Sequence, residues 1–206
     1  MTRVYFVRHA QPNDAWSDDR TRPLTALGME DRKKVTEVLM GKPLTTAQSS
    51  PRLFPIDCFY ASSYRRSYDT VAHCASLMGK AITRDERLRE RLAGPGGHEP
   101  GMLERRWADF TSCEEGGESL QSVQRRNIEA LNEILKAHEG ENIVIGTHGT
   151  ALSTILHFYD DGFGREGFIR IYRWMPYVVR LDFQGLEMVG KEELLIADRG
   201  YENRSL

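Results

Sequence analysis

Residues 142–150 read Asn-Ile-Val-Ile-Gly-Thr-His-Gly-Thr. The first six are a short apolar run with β-branched residues, which predicts a buried strand over 142–147. A helix over about 150–159 follows directly. Upstream, Ser119 opens an amphipathic helix that carries Leu120, Val123, Ile128, Leu131, Ile134 and Leu135 on one face. A buried strand between two helices is the unit of a parallel sheet covered on its faces.

The rest of the chain repeats that unit. Residues 3–7 read as a strand, and 10–24, with Pro12 and Pro23, as a polar loop. Thr25 is an N-cap for a helix over roughly 26–40, which Gly41 and Pro43 stop. Residues 57–61 are a short strand. Ser62 or Ser63 then caps a helix whose apolar face is Tyr64, Tyr68, Val71, Ala72, Ala75 and Met78, with Gly79 as its stop. Residues 81–84 form another short strand, and 91–118 are irregular and glycine-rich. Residues 169–197 alternate as strands do, around Pro176 and a turn at Gln184-Gly185. This order predicts an α/β layered sandwich with a mainly parallel sheet. Ligands in such sheets sit outside the carboxyl ends of the strands.

Length and composition bound what the chain does. With 206 residues it suits a single domain, 1–206, able to bury a core without metal or disulfides. A formal net charge of -2 argues against a nucleic-acid or membrane binder. No apolar run approaches the length of a membrane span, and the start, MTRVYFVRH, lacks a signal-peptide stretch. Cys58, Cys74 and Cys113 show no CxxC spacing and read as free thiols in a reducing cytoplasm.

The strand ends share one chemistry. Arg8 and His9 follow the first strand; Ser62, Ser63, Arg65 and Arg66 follow the second; His148 and Gly149 follow the strand at 142–147. The macrodipole disfavours a cation in the first turn of a helix by about 0.3–1 kcal/mol. Arg65 and Arg66 make sense there if an anion is held at the same place. Gly149 would let a ligand approach the backbone closely. Three strands thus end in groups that suit an oxyanion.

These residues resemble the motifs of the histidine phosphatase superfamily, in its phosphoglycerate-mutase-like branch. Arg8-His9-Ala10 resembles the family's Arg-His-Gly. RPLTALGMED (22–31) is similar to its Pro-Leu-Thr-x-x-Gly segment. SSYRRSYDT (62–70) resembles Ser-Pro-Leu-x-Arg-Ala-x-Gln-Thr and places Arg66 on the second family arginine. RLRE (87–90) places Glu90 on the family's acid. GGES (116–119) with Arg126, and IVIGTHGT (143–150) with His148, complete the series in the family's order. The departures are Ala10 for glycine, Ser63-Tyr64 for Pro-Leu, and Ala15 where an asparagine is common. Asn13 or Gln11 stands in for that asparagine, or nothing does.

The resemblance implies a three-layer α/β/α sandwich with a mainly parallel mixed sheet. It implies a phosphomonoester hydrolase acting on a small phosphorylated metabolite through a phosphohistidine. His9 would be the nucleophile and Glu90 the acid for the leaving group. Arg8, Arg66, His148, Gly149 and Asn13 would hold the phosphate, with His148 donating once protonated. Two arginine forks neutralise phosphate charge, so neither metal nor cofactor is expected. Residues 91–118 would form a lid in which Arg91, His98, Arg105, Arg106 and Trp107 read the rest of the substrate, with no clear second phosphate clamp. The expected partner is a small phosphomonoester, with no nucleic acid and no membrane; a homodimer stays open. The alternatives are a phosphoglycerate mutase and, in another class, a non-catalytic phosphoprotein-binding module. A metal hydrolase built on His98 and Glu99 lacks an HExxH spacing.

Overall fold

The computed structural model describes residues 1–41 and 55–198. Pro43, the expected helix stop, lies outside the described residues. Six strands make one sheet: β1 (Thr2–Arg8), β2 (Cys58–Ser62), β3 (Ile82–Asp85), β4 (Asn142–Thr147), β5 (Trp174–Gln184) and β6 (Glu187–Asp198). Their order is β3-β2-β4-β1-β5-β6. The pairs β3-β2, β2-β4 and β4-β1 are parallel, while β5 runs antiparallel to both β1 and β6. The helices are α1 (Ala26–Leu39), α2 (Arg65–Leu77), α3 (Met102–Ala108), α4 (Leu120–Ala137), α5 (Gly149–Tyr159) and α6 (Arg165–Tyr172).

The period-2 alternation of the strands divides the core into two halves. Val4, Phe6, Ile143, Ile145, Val179 and Leu181 pack with Leu131 and Leu135 of α4, Leu152 and Ile155 of α5, and Ile171 of α6. Tyr5, Val7, Phe59, Ala61 and Val144 face the other way, onto Val35, Val38 and Leu39 of α1 and Val71 and Cys74 of α2. The result is the three-layer α/β/α sandwich. Burying one such side chain stabilises by about 1.5–3 kcal/mol. Many of them outweigh any cap of about 1 kcal/mol, so the layers rest on this core. None of the described helices is long and apolar enough to cross a membrane.

Two expected caps hold. Thr25 accepts the Gly28 N–H at the start of α1, and Ser119 accepts the Ser122 N–H at the start of α4. The cap of α2 does not. Its N-cap is Tyr64, with no side-chain cap, and Ser62 closes β2 while its Oγ accepts the Tyr64 N–H (3.1 Å). The buried face of α2 also takes in Ser67 and Thr70, because the Thr70 hydroxyl accepts the Ala10 N–H (3.0 Å) and so ties the helix to the end of β1.

Two helices replace expected irregular or strand-like chain. α3 lies inside 91–118, starting after Gly101, whose φ of 84° lets the loop turn into it. α6 occupies 165–172, of which 169–172 had read as strand. The strand begins only at Trp174. Pro176 is accommodated near its start, where the register against β6 shifts between Trp174 and Tyr177.

Candidate active site

Strand register assembles the site. Arg8 pairs with Thr147 and with Tyr177, and Ala61 pairs with Gly146. The residues that follow therefore emerge at one level of one sheet edge. His9 and His148 are neighbours, with ring centroids 5.2 Å apart, and the His9 N–H still donates to the Thr147 carbonyl (3.2 Å). Arg8, His9, Arg66 and Glu90 line a cavity of about 960 Å³. His148 stands beside them, fully buried.

His9 is held as a neutral base. Its Nδ1 is 2.8 Å from the Ala10 carbonyl, which can only accept, so Nδ1 carries the hydrogen. Its Nε2 accepts the Nε–H of Arg66 (3.3 Å). Burial, and then the charges of Arg66 and Arg8, push the His9 imidazolium well below its ordinary range. The same causes act on His148: burial first, then Arg66 and His9. Protonation, the condition on which His148 was expected to donate, is thus disfavoured in the resting site. A cation there would be desolvated beside other cations.

Arg8 is fixed by the helix that sequence reading missed. One terminal nitrogen donates to the Ile171 carbonyl, in the last turn of α6, and to the Trp174 carbonyl (3.2 Å). A helix C-terminus is the negative end of its dipole, which suits a guanidinium. Gly149 has a task beside the expected one. A Cβ on it would meet the Arg8 guanidinium at 3.3 Å, so the glycine gives room to Arg8.

Arg66 is buried and stands over the Tyr64 ring (5.0 Å). Its fork also engages Asp19, through the backbone carbonyl (2.6 Å) and the carboxylate (3.1 Å). Asp19 was not singled out from the sequence, where it sits in a polar loop with no spacing to mark it.

Glu90 lines the cavity with both oxygens engaged. They accept the N–H groups of Arg91 (2.8 Å), Thr150 (3.1 Å) and Ala151 (3.2 Å). The start of α5, expected to hold a ligand anion, thus holds Glu90. Arg126 props the segment by donating to the carbonyls of Arg87, Arg89 (2.7 Å) and Glu90 (3.1 Å). Asn13, expected on phosphate, accepts the Ala15 N–H on its Oδ1 (3.2 Å), a turn of its own loop, and is not among the cavity walls. Gln11 accepts from the Thr25 hydroxyl (3.1 Å) instead.

Among the 91–118 residues, Arg91, His98 and Arg106 line the cavity, as does Glu99. Arg105 is exposed, and Trp107 packs against Phe110, Phe168 and His157. Arg91 (2.8 Å) and Arg106 (3.2 Å) share one carboxylate, Glu114. Two buried cations thus share one anion, and Glu99 adds a second carboxylate to the same wall. Cys58, His138 and Glu141 also lie close together, but at the opposite, amino-terminal end of the strands. There both His138 nitrogens are already engaged, by Tyr60 and Glu141 (2.8 and 2.7 Å).

The sequence profile of the histidine phosphatase superfamily, branch 1, matches residues 4–171. A relative from Enterobacter sp. (strain 638), named "Probable phosphoglycerate mutase GpmB", is 30% identical over 179 residues, 76% of this chain and 74% of its own. One from Hydrogenobacter thermophilus, named "Putative phosphoserine phosphatase 2", is 25% identical over 199 residues, 90% and 91% of the two chains. The solved structure of a phosphoserine phosphatase mutant from Entamoeba histolytica in complex with phosphoserine shares the fold. Its TM-score is 0.73 at 16% identity, over 94% of this chain and 97% of that one.

Proposed function

The chain belongs to the histidine phosphatase superfamily, branch 1, and on that premise we propose that it hydrolyses a small phosphomonoester through a phosphohistidine on His9. One observation carries the reading. His9 is a neutral imidazole whose Nε2 faces an open cavity beside two arginines, with its other nitrogen tied to a carbonyl. That is an activated nucleophile set in a cationic cage. Nε2 forms the bond to phosphorus while the bond to the leaving oxygen breaks. Arg8 and Arg66 neutralise charge on the equatorial oxygens. Glu90 protonates the leaving oxygen and then takes a proton from the water that cleaves the phosphohistidine. The arginines supply the charge a metal would, so the reaction needs neither metal nor cofactor.

Residues 91–118 act as the lid of a single domain. Arg91 and Arg106, which share Glu114, are the cavity-lining groups of that lid suited to a carboxylate beside the substrate phosphate. Phosphoserine and phosphoglycerate, which appear in the names of two relatives, both carry one. The mutase reading draws support from the first of those names and differs in the fate of the phosphoryl group: return to a hydroxyl instead of transfer to water. The three cysteines are free thiols, which suits a cytoplasmic protein.

The test is rapid quench with labelled phosphoserine and 3-phosphoglycerate. An acid-labile, base-stable label on the wild type, absent from His9→Ala, is expected, with release of inorganic phosphate and no loss in EDTA. Fast turnover with a protein that never carries label would reject the covalent route. Isomerisation outrunning phosphate release would select the mutase.

A further inference from the structure

Ser62 ends β2 and is fully buried. Its Oγ accepts the Tyr64 N–H (3.1 Å) and lies 2.8 Å from His148 Nε2. A buried hydroxyl hydrogen needs an acceptor. Among the described residues the one partner left for it is that Nε2. A nitrogen that accepts a hydrogen bond carries no hydrogen of its own. We infer that Ser62 is a positioning residue that fixes His148 as the Nδ1–H tautomer, so that His148 donates to the transferring phosphoryl group while remaining neutral.

Three observations support this. His148 is kept uncharged by burial and by Arg66, His9, Arg126 and Arg8, so it has one hydrogen to place. Nδ1 has no hydrogen-bond partner among the described residues, although it is buried. The ring lies 5.2 Å, centroid to centroid, from the His9 ring, where the phosphoryl group is to be bound. A buried donor with no acceptor, beside the nucleophile, is completed by an incoming phosphate oxygen. The arrangement escapes the cost of an imidazolium among arginines. The Tyr64 ring, edge-on to His148 at 5.4 Å, limits how the imidazole turns.

The inference rests on the phosphatase reading for its purpose, but the tautomer is read without turnover. Two-bond ¹⁵N–¹H correlation on the resting wild type should show His148 with a protonated Nδ1 and a bare Nε2. Vanadate should then move the Nδ1–H resonance. Ser62→Ala should lose the single tautomer and drop kcat/KM by about 10–100-fold, less than the roughly 10²–10³-fold lost with a whole oxyanion donor. Ser62→Thr, which keeps the hydroxyl, should restore both. A wild-type His148 with hydrogen on Nε2, or doubly protonated at pH 7.5, overturns the inference. So does a Nδ1–H resonance that vanadate leaves unmoved. These spectra need no folded Ser62 variant. Failure of the phosphatase reading appears separately, as an unlabelled His9.

Discussion

His9 and Arg66 are linked by one hydrogen bond of 3.3 Å, and the arginine is, after burial, the largest cause that keeps His9 uncharged. Removing a cation lowers the cost of a second one. In Arg66→Ala, the ¹⁵N titration midpoint of His9 should therefore rise toward 6.5 from its depressed wild-type position. An unchanged midpoint would remove Arg66 from the causes. Glu90 allows a test by leaving group. An alkoxide needs a proton far more than nitrophenolate does. Glu90→Gln should lower kcat/KM for an alkyl phosphate by about 10²–10⁴-fold, and for nitrophenyl phosphate by much less. The ratio kcat/KM reports only steps through the phosphohistidine, so base action in hydrolysis does not enter. Equal losses for both substrates would remove Glu90 from the acid role and turn attention to Glu99 and His98, which also line the cavity.

Glycines that permit close approach separate two kinds of contact between elements. A Cβ at Gly28 of α1 would fall on the Gln11 backbone, which cannot yield. Gly28→Ala should destabilise by about 1–3 kcal/mol, as overpacking does. At Gly149 of α5 the neighbour is the end of a side chain, the Arg8 guanidinium, which can shift by a few tenths of an ångström. A 1 Å misplacement near the chemistry can cost about 10²-fold, so Gly149→Ala should lose activity severalfold with the melting temperature nearly unchanged. A large loss of stability at Gly149, or none at Gly28, would reverse this assignment. The same contacts show what sequence could reveal. Strand ends were legible because each apolar run stops abruptly at Arg8-His9, Ser62 or His148. The amphipathic α4 was legible from its period. α6 was not, because Phe168 and Ile171 are its only buried residues and its residues 169–172 run straight into β5. Its carbonyls hold Arg8, yet a backbone acceptor leaves no mark on side-chain pattern. Asp19, and the room that Gly149 gives to Arg8, were missed for a related reason: their partners lie 47 and 141 positions away along the chain.

For the molecule as a whole, the two buried neutral histidines make stability depend on pH. In the unfolded chain they titrate near 6.5, while both folded values are depressed. Below that range the unfolded chain binds more protons, so stability is full above it and falls as pH drops, by at most about 1.4 kcal/mol per pH unit for each histidine. Burial pushes Glu114 up, but hydrogen bonds from backbone N–H groups and Arg91 prevail and hold it at about 2. Its contribution is lost only below the ordinary glutamate value of 4.5. The melting temperature should therefore fall between pH 7.5 and 5.5, and His148→Gln should flatten that slope. A wild-type curve level across this window would contradict neutral burial. The antiparallel end of the sheet has a bearing on crowding as well. β6 is an outer strand with Glu187, Lys191, Glu192 and Asp198 exposed along it, and its pairing with β5 slips in register at three places. Charge and irregular edges resist strand addition. A second copy therefore gains little by continuing the sheet there, and β6 guards the chain against edge-to-edge polymerisation at high concentration.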